Sequence, residues 1–360
     1  MDTPSPAAEA VIEPDLPIVD PHHHLWDYRA MARTLGPETH PFERIVRRSP
    51  LYLLDELVTD IRGGGHDVRA TVFVECGAMY RADGPDALKP VGETEFVNGV
   101  AAMSASGLHG PIRACAGIVG HADLRRGDAV AEVLEAHLAA GGGAAGGGRF
   151  RGIRHSVSWD ADPGVLGPLA RMPQGLLVSD AFRAGFARLA PLGLSFDAWL
   201  LEPQLPELID LARAFPETAI MLDHVGTPLG IGAYAGRREE RFGLWRERIR
   251  ALAQCPAVMV KLGGLAMPFG GFDGEEGEGA EPQSARLARL WAPYIETCIE
   301  AFGVERCLFE SNFPVDLFTC SYTVLWNGLK RIAAGYSTDE KAALFSGSAA
   351  RFYRLAQVAA

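Results

Sequence analysis

Short apolar runs alternate with longer amphipathic stretches along the whole chain. Each run is rich in Val, Ile, Leu or Phe and is bounded by Gly, Pro or polar residues, which is the pattern of strands buried in a parallel sheet. The predicted strands cover residues 18–20, 68–75, 112–119, 150–156, 194–199, 219–224, 257–262 and 306–310.

The stretches between these strands place apolar residues at helical spacing. The predicted helices cover residues 51–62, 129–140, 180–189, 206–215, 245–253, 285–301 and 322–333, with a final helix from 338 to about 355. Eight strand–helix alternations without a break in composition predict an α/β chain folded as one closed (β/α)8 TIM barrel. An open doubly wound sheet is the alternative, but the first strand ends in histidines and lacks the glycine pattern of a dinucleotide-binding turn.

The predicted barrel domain covers residues 16–360, and residues 1–15 are interpreted as a short flexible leader rich in Pro, Ala and acidic residues. Two long loops, 77–92 and 268–282, follow strands and are expected on the face of a barrel that carries the active site. The Gly/Ala run 139–148 precedes a strand and is interpreted as a flexible connector. The acidic stretch 273–281 lacks the spacing of a calcium loop and is interpreted as solvated.

Composition and charge narrow the classes of function. The chain has 360 residues, of which 48% are hydrophobic, and its formal net charge is -11. A large core is therefore available, whereas binding to nucleic acid or to an anionic membrane is not expected. A few arginines lining one pocket could still hold an anionic substrate. The six scattered cysteines and the absence of a secretory pattern favour a cytoplasmic protein that acts on a small molecule.

The first predicted strand ends in three consecutive histidines. Because strand side chains alternate, His22 and His24 point to one side and His23 points to the other. Two imidazoles at one strand end can bind a divalent metal or polarise a carbonyl, and Asp20 lies on the same face as an acceptor that could orient them. The alternative is a polar strand end without function.

Later strands end in further candidates for chemistry. His224 closes an apolar strand at the same end of the barrel, and Asp223 is interpreted as structural because it alternates outward. Arg154 and His155 lie nearest the end of their strand and are the substrate-side candidates, although alternation leaves open which of them faces inward. Lys261 is either a site residue or a structural one.

Aromatic residues close to the strand ends could form the walls for a ring-shaped substrate. Trp26 and Tyr80 are the substrate-binding candidates among them, with Trp159 and Trp199 as further possibilities. Each of these side chains, considered singly, is also compatible with ordinary packing.

Five segments together resemble the amidohydrolase-related metal-dependent hydrolases (amidohydrolase 2) of the TIM-barrel type. This group includes lactonases for sugar lactones and for 2-pyrone-4,6-dicarboxylate. The segments occur in the order of the family and cover the chain from about residue 18 to 355: Asp20-Pro-His-His-His-Leu-Trp-Asp27, Phe150-Arg-Gly-Ile-Arg-His155, Leu222-Asp-His-Val-Gly226, Lys261-Leu-Gly-Gly-Leu265 and Phe309-Glu-Ser-Asn-Phe-Pro-Val-Asp316.

The resemblance implies that His22, His24 and His224 contact a metal ion, such as zinc or manganese, or the reacting carbonyl. It also implies that Asn312 occupies the position where the family usually has an aspartate that removes a proton from water. Asn cannot accept that proton at neutral pH.

Either another carboxylate supplies the base, or the reaction differs. Glu310 ranks first because it shares a strand face with Asn312, followed by Asp316, Asp197 and Glu75. Asp197 is also a substrate-binding candidate. A structural ion pair is the alternative interpretation of Glu310.

The sequence therefore predicts a hydrolase that opens a lactone or a similar small cyclic ester by attack of water on a polarised carbonyl, without an organic cofactor. A metal-dependent non-oxidative decarboxylase of the same barrel family is the alternative enzyme. A catalytically silent barrel that acts as a binding protein is the alternative of another class.

Overall fold

The computed structural model describes residues 9–38, 40–143, 148–272 and 281–355. Within these residues, eight parallel strands lie side by side in chain order, as the apolar runs predict. We number them as barrel strands β1 to β8: Ile18–His23, Val68–Val74, Arg113–Gly120, Phe150–Arg154, Ser195–Ala198, Ile220–Leu222, Val258–Leu262 and Cys307–Phe309.

The sheet closes between its first and last strands. The backbone N–H of Asn312 donates to the His22 carbonyl at 2.9 Å, and that of His24 donates to the Phe313 carbonyl at 2.8 Å. His23 and Phe313 form a parallel bridge at the same place. The chain is therefore a (β/α)8 barrel, and the open doubly wound alternative is excluded.

The helices surround the barrel. Their bounds are Arg29–Thr34 (α1), Phe42–Arg48 (α2), Leu54–Gly64 (α3), Val91–Ala105 (α4), Val130–Ala140 (α5), Pro163–Leu166 (α6), Asp180–Phe186 (α7), Leu205–Ala214 (α8), Arg238–Leu252 (α9), Gln283–Phe302 (α10), Tyr322–Ile332 (α11), Thr338–Ala342 (α12) and Ser348–Phe352 (α13). A π-helical turn, Ala343–Gly347, joins the last two, so the predicted final helix is one bent segment.

Sequence periodicity missed α4 and the first half of α9. In α4 the buried positions include small and polar residues such as Gly92, Glu93, Thr94 and Ser104, so no apolar stripe marks the helix. In α9 only Trp245, Ile249 and Leu252 are buried, and the first turn, residues 238–241, is entirely charged.

The interior of the barrel is apolar at its amino end. Val19, Val72, Met221 and Leu308 pack there against Tyr353, which follows α13 and closes this end. Polar side chains are thereby concentrated toward the carboxyl ends of the strands, which is where barrel enzymes carry their active sites.

The described part of the predicted leader is attached to the barrel. The Glu9 carboxylate accepts from the Ser284 N–H at 2.9 Å, and Lys330 donates to the Glu13 carbonyl at 2.7 Å. Residues 1–8, most of the acidic stretch 273–281 and part of the connector 139–148 lie outside the described residues. None of the helices in the described part of the chain combines the length and the apolar character that a membrane crossing needs.

Candidate active site

Three imidazoles meet at the carboxyl end of the barrel. The His22 ring lies 4.9 Å from the His24 ring and 4.6 Å from the His224 ring, measured between centroids. His23 lies on the other side of its strand, where its Nε2 is 2.8 Å from the Thr71 hydroxyl. The alternation predicted for the first strand therefore brings the predicted histidines together.

Asp223 joins this cluster, and its interpretation as an outward structural residue was wrong. Strand β6 ends at Leu222, and the next turn holds His224 and Val225 at φ of 57° and 48°, so strand alternation stops before Asp223. The Asp223 carboxylate is fully buried and its Oδ1 lies 3.8 Å from His22 Nδ1.

Glu310 links two of the histidines. His224 Nδ1 donates to Glu310 Oε1 at 2.7 Å, and Glu310 Oε2 lies 2.7 Å from His22 Nδ1. Gly263 makes room for this carboxylate, since a Cβ there would lie 2.4 Å from Glu310 Cγ. The structure thus places the carboxylate ranked first from sequence inside the cluster.

Lys261 is a buried cation beneath the histidines. Its Nζ donates to Asp197 Oδ2 at 2.8 Å, lies 3.0 Å from Asp223 Oδ1, and is 3.2 Å from His22 Nδ1. Burial alone would lower the pKa of Lys261. The neighbouring Asp197 and Asp223 carboxylates outweigh burial and raise this pKa, so Lys261 stays charged. Tyr353 also donates to Asp197 Oδ2 at 2.6 Å, so Asp197 connects the site to the closed end of the barrel.

Arg154 faces the cluster, whereas His155 does not. Arg154 Nε donates to Glu75 Oε1 at 2.8 Å, and its Nη1 lies 3.3 Å from His22 Nε2. His155 points between its strand and the helices, where its Nδ1 accepts from the Leu124 N–H at 3.3 Å and its ring lies 5.6 Å from that of Phe182. The placement predicted for His155 is therefore wrong, because alternation puts it on the opposite side from Arg154.

This difference predicts contrasting effects of substitution. We expect Arg154→Lys to lower kcat/KM by about 100-fold, because lysine lacks the planar fork that contacts both Glu75 and His22. His155→Gln should leave kcat/KM within about threefold of wild type, apart from any loss of folded protein. Steady-state kinetics on proteins with matched melting curves checks this, and equal losses in both variants would contradict the placement.

Asn312 and Asp316 form a separate pair. Asn312 Nδ2 donates to Asp316 Oδ1 at 2.7 Å, and the Ala266 N–H lies 3.3 Å from Asp316 Oδ2. Among the described residues, no hydrogen bond or ion pair joins the Asn312 side chain to the three imidazoles. Asp20 was predicted to orient the imidazole rings. Its carboxylate instead accepts the backbone N–H groups of His22 and Ser311, so it fixes the backbone where the first and last strands meet.

The predicted aromatic walls have different environments. Trp26 is buried, stacks on His24 with ring centroids 6.0 Å apart, and donates to the Ser49 carbonyl at 2.7 Å, so it supports His24 from behind. Tyr80 is 37% exposed and follows β2. Burial and the nearby Glu75 charge raise the pKa of Tyr80 above its usual range.

Comparison with known proteins shows which family the chain belongs to. The family model Amidohydro_2, described as amidohydrolase, matches residues 19–355. The chain belongs to the amidohydrolase family. The uncharacterized protein y4mH of Sinorhizobium fredii is 33% identical over 351 residues, which are 95% of this chain and 99% of the relative.

A curated sequence and a crystal structure from Burkholderia multivorans are also similar to this amidohydrolase. An L-fucono-1,5-lactonase is 28% identical over 295 residues, which are 79% of this chain and 90% of the relative. A crystal structure of an amidohydrolase with bound zinc superimposes with a TM-score of 0.67 at 26% identity, covering 94% of this chain and 99% of that one.

The imidazoles of this amidohydrolase present lone pairs to the site. Burial, followed by the Lys261 charge, holds the pKa of His22 well below its usual value, and burial followed by Arg154 does the same for His24. His24 Nδ1 must donate to the Val74 carbonyl at 2.8 Å, and His224 Nδ1 donates to Glu310. The Nε2 atoms of His24 and His224 are therefore left as acceptors, which is the arrangement that metal-binding histidines adopt.

The donor set fits a divalent cation. His22, Asp223 and His224 each offer a ligand atom, and these atoms lie within 4.8 Å of one another. Asp223 Oδ2 is buried without a hydrogen-bond partner and lies 3.6 Å from Arg154 Nη1. Glu310 Oε2 is buried with His22 Nδ1 beside it at 2.7 Å. The carboxylates of Glu75, Asp197, Asp223 and Glu310 also outnumber the two cations Arg154 and Lys261, an excess of negative charge that a divalent ion would balance. His24 is outside this ligand group, although it was predicted within it.

A second buried carboxyl, Glu93 of α4, holds the loop that follows β2. Its Oε1 accepts the N–H groups of Cys76 and Ala78, at 3.2 Å and 2.8 Å. Burial, with the nearby Glu75 charge, raises the pKa of Glu93 from 4.5 to about 8. Ionisation of Glu93 in the folded protein therefore destabilises the fold. This destabilisation is absent below pH 4.5, grows as the pH rises and is complete above pH 8.

We expect Glu93→Gln to remove this part of the pH dependence. The amide keeps an oxygen for the two backbone donors, so the variant should gain stability relative to wild type between pH 5 and pH 8. Urea unfolding at several pH values checks this. Glu95→Gln, on the same helix but in an exposed pair with Arg81, is the control and should leave that slope unchanged. Parallel curves for wild type and Glu93→Gln would contradict the expectation.

Proposed function

We propose that this amidohydrolase opens a small lactone, such as a 1,5-lactone of a sugar acid, by attack of water on the ring carbonyl. The observation that carries the proposal is the buried Glu310 carboxylate, whose Oε1 accepts from His224 and whose Oε2 lies 2.7 Å from His22 Nδ1 in the imidazole cluster. The 28% identical relative named L-fucono-1,5-lactonase supports the choice of substrate class.

In this proposal Glu310 is the general base. Its Oε2 takes a proton from the attacking water, and the His224 N–H to Oε1 keeps the carboxylate aimed while its charge is neutralised. This role corresponds to the one that the missing aspartate at position 312 would have had. Asn312, paired with Asp316, keeps the loop after β8 in position and takes no proton.

Positive charge close to His22 stabilises the oxyanion that forms on the carbonyl. Arg154 is the only described cation of the cluster that retains exposed surface, at 7%, and its guanidinium is held by Glu75. Lys261 is fully buried and acts from a distance by keeping Asp197 and Asp223 ionised and in place.

A divalent ion fits the same residues. His22, His224 and Asp223 would hold it, and when bound it would polarise the carbonyl and lower the pKa of water at the site.

A substrate panel tests the proposed function. Purified protein is assayed with 1,5- and 1,4-lactones of sugar acids, with 2-pyrone-4,6-dicarboxylate and with hydroxylated benzoic acids. Proton release is followed for ring opening and carbon dioxide for decarboxylation, each corrected for the uncatalysed rate. Metal content is measured by elemental mass spectrometry on the same protein, before and after chelation.

We expect ring opening of at least one sugar lactone and no carbon dioxide release. Carbon dioxide from an aromatic acid, with all lactones untouched, would replace the proposal by the decarboxylase alternative. Failure to turn over any compound on the panel would leave the silent binding protein as the better account.

A further inference from the structure

Two cationic side chains lie against the ligand group His22, Asp223 and His224. Lys261 Nζ is 3.0 Å from Asp223 Oδ1 and 3.2 Å from His22 Nδ1. Arg154 Nη1 is 3.6 Å from Asp223 Oδ2 and 3.3 Å from His22 Nε2. Both carboxylate oxygens of Asp223 and both ring nitrogens of His22 therefore have a cation of the protein beside them.

Both cations are anchored in these positions. Lys261 is fully buried and donates to Asp197 Oδ2 at 2.8 Å, an oxygen that also accepts from Tyr353 at 2.6 Å. The Tyr353 ring centroid lies 5.6 Å from Lys261 Nζ. Arg154 is 7% exposed, and its Nε donates to Glu75 Oε1 at 2.8 Å. The fold thus keeps the two positive charges next to the ligand atoms.

A divalent ion would need the same atoms that the two cations contact. The lone pair of an imidazole nitrogen serves either an N–H donor or a metal ion. A carboxylate oxygen has a second lone pair, but an ion bound there would lie close to the Lys261 ammonium group. Like charges at such short range repel far more strongly inside a protein than in water. An ion held by Asp223 and His22 must therefore displace Lys261 or bind against its charge.

We propose that Lys261 competes with a divalent cation for Asp223 and His22 and thereby keeps the affinity of this site for the ion low. Arg154 contributes less, because its nitrogen lies farther from Asp223. The four carboxylates of the cluster exceed its two cations by two, and loss of either cation would raise this excess to three. The proposal concerns the affinity for the ion and does not depend on a lactone being the substrate.

Calorimetric titration of the chelator-treated full chain with zinc chloride tests the proposal. We expect Lys261→Met to bind zinc at least about tenfold more tightly than wild type, because methionine removes the charge and adds only a weak ligand atom. Arg154→Gln should show a smaller gain in the same direction. Lys330→Met removes another buried lysine, whose Nζ contacts the Glu13 carbonyl and His66 Nδ1, and should bind zinc as wild type does.

A second pair of measurements locates the gained affinity. Adding His22→Ala to Lys261→Met should abolish the gain, because the substitution removes one of the ligands that Lys261 contacts. Zinc should also raise the Tm of Lys261→Met more than the Tm of wild type, because an ion bound only by the folded state stabilises that state. The melting curves show whether Lys261→Met is folded, and if it is not, the comparison of Arg154→Gln with wild type decides.

Two results would overturn the proposal. One is a zinc affinity of the deciding variant that is no higher than that of wild type. The other is a gain that survives His22→Ala, which would place the bound zinc outside the ligand group. No lactone enters these measurements, so a failure of the proposed function and a failure of this proposal are seen separately.

Discussion

Glu310→Gln is expected to lower kcat by about 1,000-fold or more while the folded protein is retained. The amide has nearly the shape of the carboxylate but cannot take a proton from water. It can also present its NH2 group to His224 Nδ1, which would force the imidazole into the other tautomer. KM should change little, because in the proposed mechanism Glu310 contacts the attacking water and the histidines rather than the substrate.

A matched control is available in the same fold. Glu202 is 1% exposed and pairs with Arg241 and Arg248 outside the candidate site, so Glu202→Gln also neutralises a buried, ion-paired carboxylate. We expect that variant to lose stability and to keep its kcat within about threefold. If Glu310→Gln retained more than a tenth of wild-type kcat, Glu310 would not be the base and the structural ion-pair interpretation would stand.

Lys261→Met is expected to destabilise the fold by about 3–5 kcal/mol. Methionine fills much of the same volume, but the substitution leaves Asp197 and Asp223 buried without their shared cation. Activity should fall as well, since the carboxylates would then draw protons or move relative to His22. Urea unfolding at pH 7 measures the loss of free energy, and kinetics on the remaining folded protein measures the second effect.

Two further variants isolate the cause. Lys261→Met combined with Asp197→Asn removes one of the uncompensated charges and should recover part of the lost stability. Lys330→Met removes another buried lysine, whose Nζ contacts the Glu13 carbonyl and His66 Nδ1 instead of carboxylates, and should cost less. If Lys330→Met cost as much as Lys261→Met, lost packing rather than buried charge would explain both.

The barrel could be predicted from the sequence because parallel strands buried on both faces are short, uniformly apolar and bounded by turn residues. All eight runs coincide with strands of the barrel. Helix α4 could not be found in this way, because Glu93, Thr94 and Ser104 are buried through specific hydrogen bonds rather than through an apolar stripe.

The site was partly predictable for a related reason. His22 and His24 follow from alternation along their strand, and the structure brings them together as expected. Glu310 joins them, but not by the predicted alternation, because the strand ends at Phe309 and Asn312, which was expected on the same face, pairs with Asp316 instead. Asp223 was misjudged because the strand ends at Leu222 and the backbone then passes through left-handed conformations at His224 and Val225. No periodic rule anticipates that change of direction.

Other parts of the site depend on distant contacts. Lys261 is held by Asp197 on β5 and by Asp223 in the turn after β6, and Tyr353 reaches Asp197 from the C-terminal segment. Sequence separation hides such contacts, since the Tyr353–Asp197 pair spans 156 residues.

Single-turnover hydrolysis in ¹⁸O-labelled water tests the central claim most directly. With enzyme in excess over a 1,5-sugar lactone, the account predicts a product acid that carries one solvent oxygen in its carboxyl group. It also predicts that the enzymatic component disappears in Glu310→Gln and persists in Glu202→Gln. A product formed without solvent oxygen, or a rate indistinguishable from the uncatalysed reaction in the wild-type protein, would contradict the account.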